Sequence, residues 1–537
     1  MEVYHGRSLG KGIAIGKLFF YQKQERAAHV QEPTDLEREL FRYREAKKQA
    51  KAELEKLCEK ARADMGEESA AVLEAQMMLL EDESFDSSVF RLLCSGTICA
   101  EDAVSAAGEE FFSQFSAMED DYFRERAVDV RDVADRLVAA LEGRSCGNFP
   151  EMEPVIVAAE ELVPSETVQM DKSKLLAFVT ERGSENSHTA ILARTMNLPA
   201  ISGIQVRPEW NGRLAAVDGK KGILYLDPSP EVLEALKEQQ LEAKKRVRQL
   251  HQFRGRKTIS KSGKEIRLYA NVGSVSDVKA ALENDAEGIG LFRSEFLYLE
   301  KGDFPTEEEL FCAYKTAASM MDGKEVIIRT LDIGADKQAG YFGLEQEENP
   351  AMGCRAIRLC LLRPELFRTQ LRAIYRASVF GNLSVMYPMI ISVEELSRIR
   401  VITEEVKESL RSEKLPYKEI RQGIMIETPA AALISDLLAK EVDFFSIGTN
   451  DLGQYAMAID RQNPTLEAFY DSHHPALLRM IRMTVENGHA AGCLVGICGE
   501  LAADTSLTGQ FLEMGVDELS VAPGTVLKVR KAVVEHE

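Results

Sequence analysis

The chain of 537 residues has one tryptophan and eight histidines, and no apolar run approaches the roughly 18 residues of a membrane-spanning helix. Its N-terminus, MEVYHGRSLGKG, lacks the apolar block of a signal peptide, so a cytoplasmic location is expected and a membrane span is not. The nine cysteines contain no CxxC pair and no His/Cys cluster of zinc spacing, which excludes a zinc module. Odd in number and scattered, they read as buried thiols of a reducing compartment. Basic residues are outnumbered, 66 against 87 acidic ones, for a net charge of −21. That balance excludes a nucleic-acid or anionic-membrane surface and suits a basic protein partner. An anionic substrate then requires a local cluster of arginines working against the global field.

The chain has 45% hydrophobic and 28% charged residues, the composition of a globular protein, and its length calls for three or four domains. A short strand, GIAIGKLFFY, precedes PTDLERELFRYREAKKQAKAELEKL, where Thr34 and Glu37 make a capping box after Pro33. Leu36, Leu40, Tyr43, Ala50, Leu54 and Leu57 fall on one helical stripe. Helical patterns continue to about residue 142, predicting a bundle that serves as a docking surface or a rigid spacer. PVIVAAEEL and LLAFVTERG then read as buried strands, and LAAVDGKKGILYLD as a hairpin turning at Asp218 to Gly222. This α/β block is completed by the N-terminal strand, which makes the bundle an insertion. A charged helix from Ser229 and Pro230, EVLEALKEQQLEAKKRVRQLHQF, reads as a semi-rigid linker.

From residue 261 eight strand candidates alternate with helices: IRLYANVG, GIGLFRSE, VIIRTLDIG, LSVMYPMI, GIMIETPAA, FFSIGTND, LVGICGE and ELSVAP. Eight such units predict a closed parallel barrel, whose chemistry sits at the C-terminal strand ends. Arg293, Arg329, Asp332, Glu427, Asn450, Asp451, Cys498 and Glu500 fall there. Arg293, Arg329, Arg461 and Arg355 suit a multiply charged anion, because each guanidinium grips a carboxylate or phosphate at two points. Glu427 and Asp451 end adjacent strands and, without histidine or thiolate companions, favour Mg²⁺; Glu427 pairing with an arginine is the alternative. Cys498 has the chemistry of a proton donor, since a thiol starts neutral, or of a core thiol.

Within ENSHTAILARTMNLP, His188 stands where a helical pattern begins. A helix N-terminus favours the negative charge of a phosphoryl group and keeps the imidazole neutral and nucleophilic. Ser187 and Thr189 either hydrogen-bond that phosphate or cap the helix.

These segments resemble those of the phosphoenolpyruvate–protein phosphotransferases, Enzyme I of the sugar phosphotransferase system. SHTAILARTMNLPAISG resembles the family's phosphohistidine segment. GIGLFRSEFL, IIRTLDIGADK, NPAMGCRAIR, MIETPAA, SIGTNDLGQYAMAIDR and GICGELAAD resemble its barrel motifs, in the family's order. The resemblance implies a multidomain α/β fold: a swivelling α/β phosphohistidine domain with an inserted α-helical bundle, a linker helix and a C-terminal (β/α)8 TIM barrel. The implied divisions are residues 1–32, N-terminal strands of the phosphohistidine domain; 33–142, the bundle that binds the phosphocarrier protein HPr; 143–228, the phosphohistidine domain; 229–260, the linker; and 261–537, the phosphoenolpyruvate-binding and dimerisation barrel.

By position, the resemblance makes His188 the phosphoryl acceptor. It gives Arg293, Arg329, Asn450, Asp451, Arg461 and Arg355 to phosphoenolpyruvate, Glu427 and Asp451 to Mg²⁺ (or Mn²⁺), and the protonation that yields pyruvate to Cys498. A homodimer joined through the barrels is implied. The chain departs from the family's pattern in GSENSH, where a double glycine and a threonine are usual and where Asn186 is placed to supply the threonine's hydrogen bond. It also has Ala335 for a usual glycine, and it ends at KAVVEHE, before a helical extension common in the family.

A pyruvate, phosphate dikinase or phosphoenolpyruvate synthase needs an ATP-grasp domain for which 537 residues leave no room. A barrel lyase does not explain the His188 segment. A non-catalytic phosphoenolpyruvate sensor is the rival from another class, and a donor for a dihydroxyacetone kinase or a nitrogen-regulatory branch is the rival within the family.

Overall fold

The computed structural model describes residues 1–22, 35–65, 67–96, 98–117, 121–143, 153–162, 164–167, 170–183, 189–190, 193, 196, 198–299, 303–334, 340–345, 347–460 and 463–537. The chain divides into two compact units, residues 1–246 and 247–537.

In the first unit an eight-stranded sheet gathers β1 (Glu2–His5), β2 (Arg7–Gly10), β3 (Ile13–Tyr21), β4 (Val155–Ala159), β5 (Leu175–Thr180), β6 (Ala200–Ser202), β7 (Leu214–Asp218) and β8 (Ile223–Leu226). Their order is β1-β8-β7-β3-β4-β5-β6-β2. The N-terminus therefore supplies three strands to this sheet, two more than the short run after Gly12 foretells. The continuous apolar run of β4 is explained by burial on both faces. Ile156 and Ala158 pack with Leu18, Val179 and Trp210, while Val155, Val157 and Ala159 pack with Phe178, Ala190 and Ala193. The hairpin between β7 and β8 forms as expected, with Asp218 opposite Ile223.

Strands β3 and β4 pair in parallel although more than 130 residues separate them. Between them lies a helical bundle of α1 (Leu36–Met65), α2 (Glu67–Leu80), α3 (Glu83–Leu93), α4 (Ala100–Ser116) and α5 (Asp121–Leu141). Along α1 the buried stripe is Glu39, Tyr43, Ala46, Ala50, Leu54, Cys58 and Ala61, with Leu40 and Leu57 packed at its margins. Leu36, expected on that stripe, is exposed; the position on the core side is taken by Glu39, which ion-pairs with Arg42 and caps α4 by accepting from the Ala100 N–H. The capping box at Thr34 lies outside the described residues. Of the 22-residue helix Pro230–His251, Leu236 alone is buried, so it is solvated along nearly its whole length.

The second unit is a closed barrel of eight parallel strands: β9 (Arg267–Val272), β10 (Ile289–Arg293), β11 (Glu325–Arg329), β12 (Asn382–Tyr387), β13 (Arg421–Ile426), β14 (Phe444–Ile447), β15 (Leu494–Ile497) and β16 (Glu518–Val521). All eight sequence candidates are present, and β16 closes on β9. Strand alternation sorts the side chains. Outward residues such as Ile328, Val385, Ile424, Phe445 and Ile497 build the core beneath the helices. Inward residues Leu291, Ile327, Met386, Met425 and Phe444 form a separate apolar layer inside the barrel. Below that layer lies a polar floor, where Glu325 accepts from Ser384, Arg421 and Tyr269.

The last helix, Val526–Glu535, is tied in by Arg530, 1% exposed, which pairs with Asp285, donates to the Asp285 carbonyl at 2.6 Å and donates to Thr258 Oγ1 at 3.1 Å. The barrel's final unit is thus anchored to residues at its beginning. No helix among the described residues is long and apolar enough to cross a membrane.

Candidate active site at the barrel mouth

Counting two residues up each strand from the apolar layer leads to the site. Arg293 follows Leu291, Arg329 follows Ile327, Glu427 follows Met425, and Cys498 belongs to the inward layer just beyond Ile497. The period of two that buries the barrel interior therefore also aims these residues inward at the C-terminal rim. Arg293 and Arg329 are register partners on β10 and β11.

Arg329 and Arg355 share one carboxylate. Asp332 forms an ion pair with Arg329 Nη1 at 3.0 Å and accepts a hydrogen bond from Arg355 Nη2 at 3.0 Å. Arg329 also pairs with the fully buried Glu295. Arg355 continues the chain of charges to Asp451 Oδ1 at 3.4 Å and donates to the Tyr455 hydroxyl at 3.2 Å. Burial works against both guanidinium charges, yet Asp332, with Glu295 for Arg329 and Asp451 for Arg355, raises both above their ordinary values. Each arginine is thus held charged with a fixed orientation, which is what recognition of a polyanion requires. Arg293 has no ion-pair partner among the described residues.

Gly334 makes the Arg355 loop possible. Its φ is +119°, and a Cβ there would lie 2.4 Å from Arg355 Cβ and 2.8 Å from its Cα. Gly448 plays the same part beside Glu427, where a Cβ would come within 3.0 Å of the carboxylate's Oε2.

Glu427 is 1% exposed. Its Oε1 accepts from the Met389 N–H at 2.6 Å, while Oε2 has no hydrogen-bond partner among the described residues. Burial first, then the negative charges of Asp451 and Asp332, holds this carboxyl well above the usual carboxylate range, and Arg329 and Arg355 only partly offset them. A buried, half-satisfied carboxyl beside a second, partly exposed one is thus only partly compensated by the two arginines. No group of three or more His, Cys, Asp or Glu side chains is placed to hold a metal among the described residues. A two-carboxylate arrangement nevertheless fits Mg²⁺, which keeps several waters and completes its shell with substrate oxygens.

Cys498 is buried, its thiol faces the Ile447 carbonyl at 3.7 Å, and Asn271 donates to its backbone carbonyl at 2.9 Å. Burial pushes the thiol up to about 11, so it is protonated at neutral pH. Asn450 and Glu500 clasp each other, Asn450 Nδ2 donating to the carboxylate at 3.0 Å and Asn450 Oδ1 accepting from the Glu500 N–H at 2.8 Å. That clasp ties the first turn of the helix after β14, Thr449–Met457, to the short 3-10 turn after β15, Glu500–Ala503.

His188, Ser187, Asn186, Ala335 and Arg461 lie outside the described residues; Thr189, next to His188, is buried and helical. The arrangement brings together Arg329, Arg355, Glu427 and Asp451 through contacts or shared charges, with Cys498 on the same rim. Reasoning from sequence assigned no role to Glu295, Asp332, Asn271 or Tyr455. Three of these carried a signal: Asp332 was already placed among the polar residues of the rim, Glu295 stands two residues after Arg293, and Tyr455 is one helical turn from Asp451.

Comparison with known proteins gives a consistent picture. Residues 5–126 match the profile of a PEP-utilising enzyme's N-terminal region, residues 151–222 that of its mobile domain and residues 247–537 that of its PEP-binding domain. The chain is 41% identical to the phosphoenolpyruvate-protein phosphotransferase of Priestia megaterium, over 98% of this chain and 93% of that one. It is 39% identical to the protein of the same name from Haemophilus influenzae, over 97% of this chain and 92% of that one. A solution structure of Enzyme I (nEIt) is 34% identical, covering 45% of this chain and 99% of its own, with a TM-score of 0.39.

Proposed function

The chain belongs to the phosphoenolpyruvate–protein phosphotransferase family, and from that premise we propose that it moves the phosphoryl group of phosphoenolpyruvate to its own His188, releases pyruvate, and then phosphorylates a histidine of the carrier protein HPr. The observation that carries this reading is the chain of charge Glu295–Arg329–Asp332–Arg355–Asp451 at one barrel mouth. It presents two fixed cations beside a carboxyl they only partly compensate, as a small trianion bound with a divalent cation requires.

In this reading residues 1–32 and 143–228 form the phosphohistidine domain, 33–142 the carrier-binding domain, 229–260 the linker and 261–537 the substrate barrel. Arg293, Arg329, Arg355, Asn450, Asp451 and Arg461 hold phosphoenolpyruvate. Glu427 and Asp451 would hold Mg²⁺, which supplies charge neutralisation of phosphate and enolate oxygens when bound. Neutral His188 attacks phosphorus in line, while the arginines stabilise equatorial oxygens. Cys498 gives its proton to the methylene carbon, and pyruvate leaves. Because His188 serves both the barrel and the carrier, the joints at either end of the linker act as hinges.

The bundle suits a basic carrier: residues 33–142 hold 27 acidic against 14 basic residues, and Met78 on α2 is 73% exposed. A homodimer through the barrels has support in the exposed Leu362, Val401 and Leu433, on the helical segments that follow β11, β12 and β13.

The reading is tested by dividing the reaction into halves. Cys498→Ser should slow phosphorylation by phosphoenolpyruvate at least about a hundredfold, while chemically or enzymatically phosphorylated protein still passes its phosphate to HPr at the normal rate. Equal losses in both halves would remove Cys498 as the acid. Intact-mass measurement with phosphoenolpyruvate and Mg²⁺ should show one added phosphoryl group, lost on adding HPr; a protein that stays unmodified refutes the reading.

Glu427 makes the response to metal depend on pH. Its folded value, raised to about 8, exceeds the unfolded one near 4.5, so the metal-free fold gains from this group at low pH and loses that gain as pH rises across this window. A divalent cation replaces the proton. The rise in thermal midpoint on adding Mg²⁺ should therefore be larger at pH 8 than at pH 6, and Glu427→Gln should remove the difference. A pH-independent rise in the unaltered protein would exclude Glu427 as a ligand.

A further inference from the structure

Ser446 lies on β14 between Phe445 and Ile447, which face the helices, and two residues after the inward Phe444. Alternation therefore points Ser446 into the barrel, on the strand beside the one that delivers Cys498. Its side chain is 2% exposed, and its Oγ makes no hydrogen bond among the described residues. The neighbouring surface is apolar: Leu291, Ile327, Met386, Met425 and Phe444 line the same layer, with the Cys498 sulfur at its top. A buried hydroxyl left unmatched among such neighbours costs stability, and alanine in its place would remove that cost.

The thiol explains why the hydroxyl is there. With the proton on sulfur, S–H faces the Ile447 carbonyl, which also accepts from the Cys498 N–H at 3.1 Å, so the thiol has an acceptor and makes no demand on Ser446. Once the proton is gone that carbonyl faces an anion and can only repel it. A donor is then required, and the inward Ser446 hydroxyl on the adjacent strand is placed to be one; with the more distant charge of Arg329 it favours the ionised sulfur, against the larger opposing effect of burial.

We propose that Ser446 is a positioning residue for the acid step, its O–H turning to donate to the Cys498 sulfur as that thiol becomes a thiolate. The step is balanced: the S–H bond breaks and its proton forms the new C–H bond at the enolate carbon. The electron pair stays on sulfur, where it accepts the Ser446 hydrogen bond until solvent returns a proton. This inference rests on Cys498 acting as the acid.

Ser446→Ala in the full-length protein tests it. The variant should lower kcat for pyruvate formation about ten- to a hundredfold, the range one charge-assisted hydrogen bond accounts for. KM for phosphoenolpyruvate should stay within twofold, the solvent deuterium isotope effect on pyruvate release should rise, and transfer from phosphorylated protein to HPr should be unchanged. The thermal midpoint should stay level or increase. Ser446→Cys, with a weaker donor of similar size, should recover part of kcat. Unchanged kcat in Ser446→Ala, or a loss shared by both half-reactions together with a lower midpoint, overturns the proposal. If Cys498→Ser is itself silent, the acid assignment fails instead, and the two failures are told apart.

Discussion

Arg329→Met is expected to lower phosphorylation of the protein by phosphoenolpyruvate about a thousandfold or more and to destabilise the barrel by about 3–5 kcal/mol, two effects with one cause. Arg329 is 5% exposed, and its guanidinium pairs with two carboxylates that are themselves buried, Glu295 and Asp332. Removing it takes a cation from the substrate site and from beside two buried acids, leaving Asp332 to Arg355 alone, in a medium where such a loss is expensive. Arg329→Lys should recover much of the stability and little of the rate, because a single ammonium cannot hold Glu295, Asp332 and an anion in a fixed plane. Chemical unfolding of residues 247–537 within the whole protein, set beside single-turnover labelling, separates the effects. If Arg329→Lys labels at the normal rate, the fork geometry is irrelevant and the substrate assignment of Arg329 is wrong.

His188→Ala should abolish phosphoprotein formation entirely, with no residual rate above background, since no other group of the proposed mechanism can accept the phosphoryl group. Phosphoenolpyruvate should still bind with Mg²⁺ at near-normal affinity by calorimetry, because its cations come from the barrel. Phosphate found on another residue of the variant would refute the assignment. Loss of binding along with labelling would mean that His188 belongs to the ground-state site and is more than an acceptor.

The barrel was legible in advance because its signals are local. Eight short apolar runs, each ending in polar residues, recur with helical segments between them, and a strand's period of two is visible in any one of them. The same regularity placed Arg293, Arg329, Glu427 and Cys498 on one rim without a contact being known. Leu36 shows the limit of periodicity: it fits the stripe of α1 but lies at the helix end, where the core-side position goes to a glutamate that has an arginine and a helix cap to satisfy it. Asn271 was silent because its role is a hydrogen bond to the backbone of Cys498, 227 residues away.

What the sequence determined alone is the list of chemical groups and the face each one occupies, since alternation and helical period are properties of short stretches of backbone. It also determined the family, through motifs whose order survives without coordinates. Tertiary structure decided which groups answer one another: that Asp332 serves two arginines, and that among the described residues one oxygen of Glu427 and the Ser446 hydroxyl, on the strand beside that of Cys498, go without a hydrogen-bond partner. Those are consequences of barrel closure, which brings distant strands within a few ångströms and removes water. Charge and burial act there through space and not along the chain.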